Sequence, residues 1–193
     1  MLEFAVLGLL AESPLHGYEL RKRLNAMLGT FRAFSYGSLY PTLRRMQARG
    51  WVTADSDSGL GGRSKVVYSL TGDGKERFGE LLEEAGPSAW EDETFNVHFS
   101  FFAQTDPDAR LRILEGRRTR LEEKRERFRG AAVRTRQRVD RYTLELQRHG
   151  LESVDREVRW LTELIETERA EKPPTPPRTP PPRGADNDRH TPS

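Results

Sequence analysis

Val52-Thr53-Ala54-Asp55-Ser56-Asp57-Ser58-Gly59-Leu60-Gly61-Gly62-Arg63-Ser64-Lys65-Val66-Val67-Tyr68-Ser69-Leu70-Thr71 is the stretch that decides the fold. Val52-Thr53-Ala54 and Val66-Val67-Tyr68-Ser69-Leu70 are rich in the side chains that pack on a pleated surface, and predict two short strands. Between them, Ser56 to Ser64 carries Gly59, Gly61 and Gly62, which makes a thin, flexible hairpin tip. Arg63 and Lys65 stand at its return, where basic groups suit a phosphate backbone or a minor groove. Thr71 then has the form of a helix N-cap with Asp73 in the first turn, and Phe78, Leu81, Leu82 and Ala85 supply that helix's apolar face.

Upstream of the hairpin the pattern is helical. Leu2 to Ala11 is nearly all apolar and ends at Ser13-Pro14. Leu20, Leu24, Met27 and Leu28 fall at i, i+4, i+7 and i+8, a single buried stripe that ends at Gly29-Thr30. A third helix lies within Ser35 to Arg49, with Leu39, Leu43 and Met46 again at i, i+4 and i+7. Pro41, Arg45 and Ala48 point away from that stripe, flanked by Ser38, Thr42, Arg44 and Arg49. Small and hydroxyl side chains with arginines fit a groove-reading helix, and fit any amphipathic surface helix equally well. Three helices, a basic-rimmed two-stranded hairpin and a fourth helix together make a winged helix-turn-helix.

Three stretches carry a family resemblance. Leu9-Leu10-Ala11-Glu12-Ser13-Pro14-Leu15-His16-Gly17-Tyr18-Glu19-Leu20, Ser35-Tyr36-Gly37-Ser38-Leu39-Tyr40-Pro41-Thr42-Leu43 and Gly61-Gly62-Arg63-Ser64-Lys65-Val66-Val67-Tyr68-Ser69-Leu70-Thr71 resemble, in order and spacing, the PadR family of bacterial transcriptional regulators. They span most of residues 1–85. Met46-Gln47 and Trp51-Val52 depart from the family's usual Leu-Glu and smaller apolar pair, without threatening the fold. The resemblance implies a double-stranded DNA operator as partner, a homodimer, and most often a repressor. Carried over residue by residue, it points to Ser38, Tyr40, Pro41, Thr42 and Arg45 on the recognition helix, and to Arg63 and Lys65 on the wing. It adds His16, Gly17 and Tyr18, where the N–H groups that open the second helix can take a phosphate. His16 reads first as a hydrogen-bonded structural residue, and Tyr40, off the centre of the groove-facing arc, either packs, reaches backbone or touches a base.

Residues 86–170 read as a helical dimerisation and effector region, and 171–193, rich in Pro, Thr and Arg, as a disordered tail. Phe95, Phe99 and Phe102 recur at helical spacing between Pro87 and Pro107, with Phe101 beside them. Such a stripe is normally core. With Trp90 and Trp160 it is also a candidate wall for a small aromatic effector. A 3–4 repeat runs Leu111, Leu114, Arg118, Leu121, Arg125, Phe128, Ala132, Thr135, Val139, Tyr142, Leu146, which predicts one long coiled-coil helix closed by His149-Gly150. A last helix repeats Leu151, Val154, Val158, Leu161 and Ile165. Two antiparallel helices with matched seams can dock on each other and on a partner copy, and the family resemblance implies dimerisation through this region, at Leu111, Leu114, Leu121, Phe128, Val139, Tyr142, Leu146, Val154, Val158, Leu161 and Ile165. The fold class expected is mainly α.

Charge sharpens the picture. The 193 residues hold 32 Lys+Arg against 30 Asp+Glu, a net +2 that gives no hint of a nucleic-acid partner. By segment, residues 1–85 carry 11 basic and 10 acidic groups, 86–109 none and five, and 110–149 fourteen and six. The basic excess therefore lies on the coiled-coil helix, where pairing with the acidic last helix is the stronger reading and contact with flanking DNA the weaker.

Several classes are excluded. Without cysteine there is no disulfide, thiolate zinc site or cysteine nucleophile. His16, His98, His149 and His190 form no i,i+4 metal pair, and Gly59 to Gly62 follows no strand–helix phosphate pattern, so neither an enzyme nor a cofactor is expected. No apolar run approaches the ~20 residues of a membrane span, and Phe4 to Leu10 lacks the basic start of a signal peptide, so a cytoplasmic protein is expected. The alternative to a regulator is a winged-helix and coiled-coil protein-interaction module without sequence-specific DNA binding.

Overall fold

The computed structural model describes residues 1–28, 36–57, 65–135 and 140–171. In order, these form α1 (Leu2–Glu12), β1 (Leu15–His16), α2 (Gly17–Leu28), α3 (Tyr36–Ala48), β2 (Val52–Asp57), β3 (Lys65–Leu70), α4 (Gly72–Glu83), α5 (Asp92–Ser100), α6 (Pro107–Thr135) and α7 (Arg141–Glu171). Short 3-10 turns at Pro87–Trp90 and Phe102–Gln104 flank α5. The chain is thus mainly α, with one small antiparallel sheet in the order β1-β3-β2.

Each N-terminal element follows from its local chemistry. α1 is apolar all round, and Phe4 to Leu10 are all buried where α2, α3, α4 and β3 pack around it. α3 stops in a Schellman turn: Gly50, at φ +73°, donates its N–H to the Gln47 carbonyl, and Trp51 donates to that of Met46. The turn leads directly into β2, which pairs with β3 from Val52↔Leu70 to Asp57↔Lys65. Thr71 is the N-cap of α4, as its sequence suggests. Its Oγ1 accepts from the Gly74 N–H and donates to the Gly50 carbonyl, tying helix start and Schellman turn together. β1, only two residues long, adds a third strand through Leu15↔Tyr68 and His16↔Val67.

Two cores result, and α5 belongs to both. Leu7, Leu20, Leu24, Leu39, Leu43 and Met46 fill the first, joined by Val97 and Phe101 from the α5 segment. Phe95 enters the second, with Ile113, Leu114 and Leu121 of α6 and Val154, Val158, Leu161 and Ile165 of α7. Phe101 therefore parts from Phe95, Phe99 and Phe102: α5 ends at Ser100 and the 3-10 turn rotates the chain. Its ring lies 5.4 Å from Phe4 and 5.5 Å from Phe78, over Gly8 of α1, where any Cβ would meet it at 2.1 Å.

The helical half departs from the sequence reading at one point. Gly150 lies inside α7, and the helix boundary falls at the non-helical Asp140, just before Arg141. Asp140 is the reason: its Oδ1 accepts from the N–H groups of Tyr142 and Thr143, and its Oδ2 from the Thr143 hydroxyl. Those bonds hold the Asp140 carboxyl below its ordinary pKa, Thr143 contributing most. Tyr142 and Leu146 are thereby placed on α7, not on the helix that carries Leu111 to Phe128.

The two long helices dock on each other as their matched repeats predict: Leu114, Leu121, Val154, Val158, Leu161 and Ile165 are buried against each other, and Leu111 packs beside them. Phe128, Tyr142 and Leu146 remain exposed, at 37%, 82% and 70%. Val139 lies outside the described residues. Part of the basic excess of α6 is met by α7, through Arg110–Glu168 at 2.9 Å, Arg117–Glu157 at 2.7 Å and Arg125–Asp155 at 3.5 Å, while Arg169 of α7 pairs in return with Glu115 of α6 at 2.6 Å.

Candidate nucleic-acid interface

The winged head brings the start of α2, one side of α3 and strand β3 to a common cleft of about 480 Å³. His16, Gly17, Tyr18, Glu19, Tyr40, Val66 and Tyr68 line it. Tyr18 is 62% exposed at the mouth, with the Arg21 guanidinium 5.8 Å from its ring centroid. Gly17 is buried, and a Cβ there would meet the Tyr40 hydroxyl at 2.9 Å, so this glycine lets α3 seat against the start of α2. Tyr40 is half-buried and acts first as a packing residue between these helices. Tyr68 is buried, and burial raises its phenol pKa; Tyr40 adds to the rise and the Arg44 charge opposes it. His16 is partly buried, with no partner for its Nδ1 among the described residues.

On α3 itself, Ser38, Pro41 and Arg45 are exposed. Thr42 is not. It is 3% exposed, its hydroxyl donates to the Ser38 carbonyl at 2.9 Å, and it accepts from Arg45 Nη2 at 2.9 Å. As a correction, Thr42 belongs to the buried side of α3 and supports its neighbours, because Leu39, Leu43 and Met46 flank it inward. Gly17 has a steric role in addition, letting Tyr40 approach the start of α2. Arg45 Nε also stands 3.6 Å from Glu3 Oε1, and Arg49 Nη1 3.1 Å from Glu3 Oε2. Arg63 and the Lys65 side chain lie outside the described residues.

In the helical half, Phe95, Phe99, Phe102 and Trp160 do come together. Phe99 lies 5.8 Å from Phe95, 5.0 Å from Phe102 and 5.2 Å from Trp160, and Phe95 and Trp160 meet edge-on at 6.3 Å. Trp90 packs on the same core and donates its Nε1–H to the Ala85 carbonyl at 3.2 Å. Phe95 and Trp160 face a cleft of about 560 Å³ between α5, α6 and α7, which Arg117, Lys124, Phe128 and His149 also line.

Arg117 was not legible as special, since it stands between other arginines on a basic helix. It is 5% exposed, yet its donors are met: Glu157 accepts from Nε and Nη2, Nη1 donates to the Trp90 carbonyl at 2.8 Å and also to Asp92, and Phe95 lies under the guanidinium at 5.2 Å. Burial would raise the Asp92 pKa, but the hydrogen bond and charge of Arg117, helped by Lys124 and Arg120, bring it below its usual value. Among the described residues no cluster of His, Asp and Glu could hold a metal, and no helix is long and apolar enough to cross a membrane.

Four packed helices, a β-hairpin and a two-residue third strand define the class: a winged helix-turn-helix. Residues 6–80 match the family described as the Transcriptional regulator PadR-like family. The Bacillus subtilis (strain 168) Negative transcriptional regulator PadR is 29% identical over 82 residues, 42% of this chain and 45% of that protein. The Mycobacterium tuberculosis (strain ATCC 25618 / H37Rv) protein named Probable transcriptional regulator Rv1176c is 31% identical over 83 residues, 43% of this chain and 44% of that protein. The match thus spans just under half the length of these curated relatives. A crystal structure of Bacillus subtilis PadR in complex with operator DNA is similar at 21% identity, covering 86% of this chain and 98% of that one, with a TM-score of 0.42. The relatives are named as regulators, not as enzymes.

Proposed function

We propose that the protein is a sequence-specific DNA-binding transcriptional regulator in the cytoplasm, acting as a homodimeric repressor released by a small aromatic effector. The observation that carries this reading is the convergence of α2's start, one side of α3 and strand β3 on a common open cleft of a PadR-like domain. In a winged helix those are the parts that meet a phosphate, a major groove and a neighbouring groove or backbone. The relative named a negative regulator supports repression. Exposed Phe128, Tyr142 and Leu146 support a second copy as partner, since they lie at the free end of the α6–α7 hairpin. The cleft lined by Phe95 and Trp160, with Arg117, Lys124 and His149 around it, supports an aromatic effector.

Selection of duplexes from a random pool by the full chain tests this reading. A pseudo-palindrome with half-sites roughly one helical turn apart is expected. Recovery of no preferred sequence would refute it.

A further inference from the structure

The orientation of α3 separates Arg44, Arg45 and the Arg49 that follows the helix, and among the described residues only Arg44 is presented outward without an ion pair. Leu39, Leu43 and Met46 are fully buried and Thr42 is 3% exposed, so these four set the inward direction. At about 100° per residue, Gly37, Pro41, Arg44 and Ala48 then lie within about 30° of the outward direction. Arg45 lies about 70° from it and Arg49 about 110°, both toward α1. The ion pairs agree: one carboxylate, Glu3 in the first turn of α1, takes Arg45 at 3.6 Å and Arg49 at 3.1 Å. Thr42 holds Arg45 a second time, and the Trp51 ring lies 4.9 Å from the Arg49 guanidinium. Arg44 is exposed and has no ion pair among the described residues. It sits on the side of α3 nearer β3, close enough for its charge to act on the Tyr68 phenol.

We infer that Arg44 is the specificity-determining arginine of the recognition helix, contacting a guanine edge in the major groove, while Glu3 restrains Arg45 and Arg49 on the α1 side. The inference rests on the DNA-binding reading above. Its chemistry is the guanidinium fork, which matches guanine O6 and N7 with two parallel hydrogen bonds and needs an unencumbered side chain to do so. Pro41 and Ala48, small and flanking Arg44 on the same face, allow the close approach such a contact requires.

The test compares the full-length wild type with Arg44→Ala, Arg44→Lys, Arg45→Ala and Glu3→Gln. Affinity is measured for the duplex selected by the wild type and for versions altered one base pair at a time. Arg44→Ala should erase the preference for one G·C pair in each half-site, a loss of roughly 5- to 150-fold in discrimination, with an unchanged thermal midpoint. Arg44→Lys keeps the charge but not the fork, and should restore affinity for all duplexes without restoring that preference. Arg45→Ala should weaken matched and altered duplexes by the same factor, and Glu3→Gln should strengthen both by freeing two arginines. Retention of every base preference in Arg44→Ala, or its loss in Arg45→Ala, overturns the assignment. A wild type that shows no preference among duplexes overturns the regulator reading, and this inference with it.

Discussion

Replacing Gly8 by alanine isolates the joint between the winged head and the α5 segment. An added Cβ would lie 2.1, 2.3 and 2.7 Å from Cζ, Cε1 and Cε2 of Phe101, well inside contact distance. The ring cannot swing aside, since Phe101 is 2% exposed and boxed by Phe4 and Phe78. Overpacking of this kind costs about 1–3 kcal/mol, against about 0.5–1 kcal/mol gained from removing a helical glycine. With the ring confined, the upper part of the first range applies, and a net loss of about 1–2 kcal/mol is expected. Gly79 in α4 is the control: nothing lies within 4 Å of its Cβ position, so Gly79→Ala should gain about 0.5–1 kcal/mol. Urea unfolding followed by circular dichroism should move the two midpoints in opposite directions at constant slope. A Gly8→Ala chain as stable as the wild type would refute the packing of Phe101 on α1.

Three further outcomes follow from the fold. Gly150→Ala should raise stability by about 0.5–1 kcal/mol, as expected of a helix interior with open space around the Cβ; a loss would return the helix break to His149-Gly150. Asp140→Ala should lower the helix content and thermal midpoint while Asp140→Asn, which keeps an acceptor, retains most of both; equal effects would refute the cap. His98 is 2% exposed beside Phe4, and burial, with the N-terminal charge, depresses its pKa from 6.5 to about 4. The unfolded imidazole takes its proton first, so this contribution is whole above about pH 6.5 and is lost as pH falls to about 4, on the order of 3 kcal/mol. Titrating unfolding midpoints from pH 7 to 4 should show that loss in the wild type and a smaller one in His98→Phe.

The winged head was legible because its signals are local and redundant. Leu39, Leu43 and Met46 mark one helix face, Thr71 a cap, and Val66 to Leu70 a strand, and none depends on distant contacts. β1 escaped because two residues have no period; only pairing with Tyr68 and Val67 makes Leu15-His16 a strand. On α3 the apolar stripe fixed the helix but not its rotation. Thr42 reads as polar and outward, and burying it turns Arg45 toward α1 and Arg44 outward. In the helical half, the two apolar repeats predict helices that dock on each other, and Leu114, Leu121, Val154, Val158, Leu161 and Ile165 do so within the chain. His149-Gly150 reads as a helix stop, while the side-chain acceptor of Asp140 carries the actual boundary.

The central claim is that a nearly neutral reading head selects DNA by a few placed side chains. Fluorescence anisotropy of the full chain, on its selected duplex and on a scrambled one at several salt concentrations, tests it most directly. The account predicts a preference of about 1000-fold or more, with a salt slope small enough to mean few phosphate contacts. Equal affinity for both duplexes at every salt concentration would contradict it.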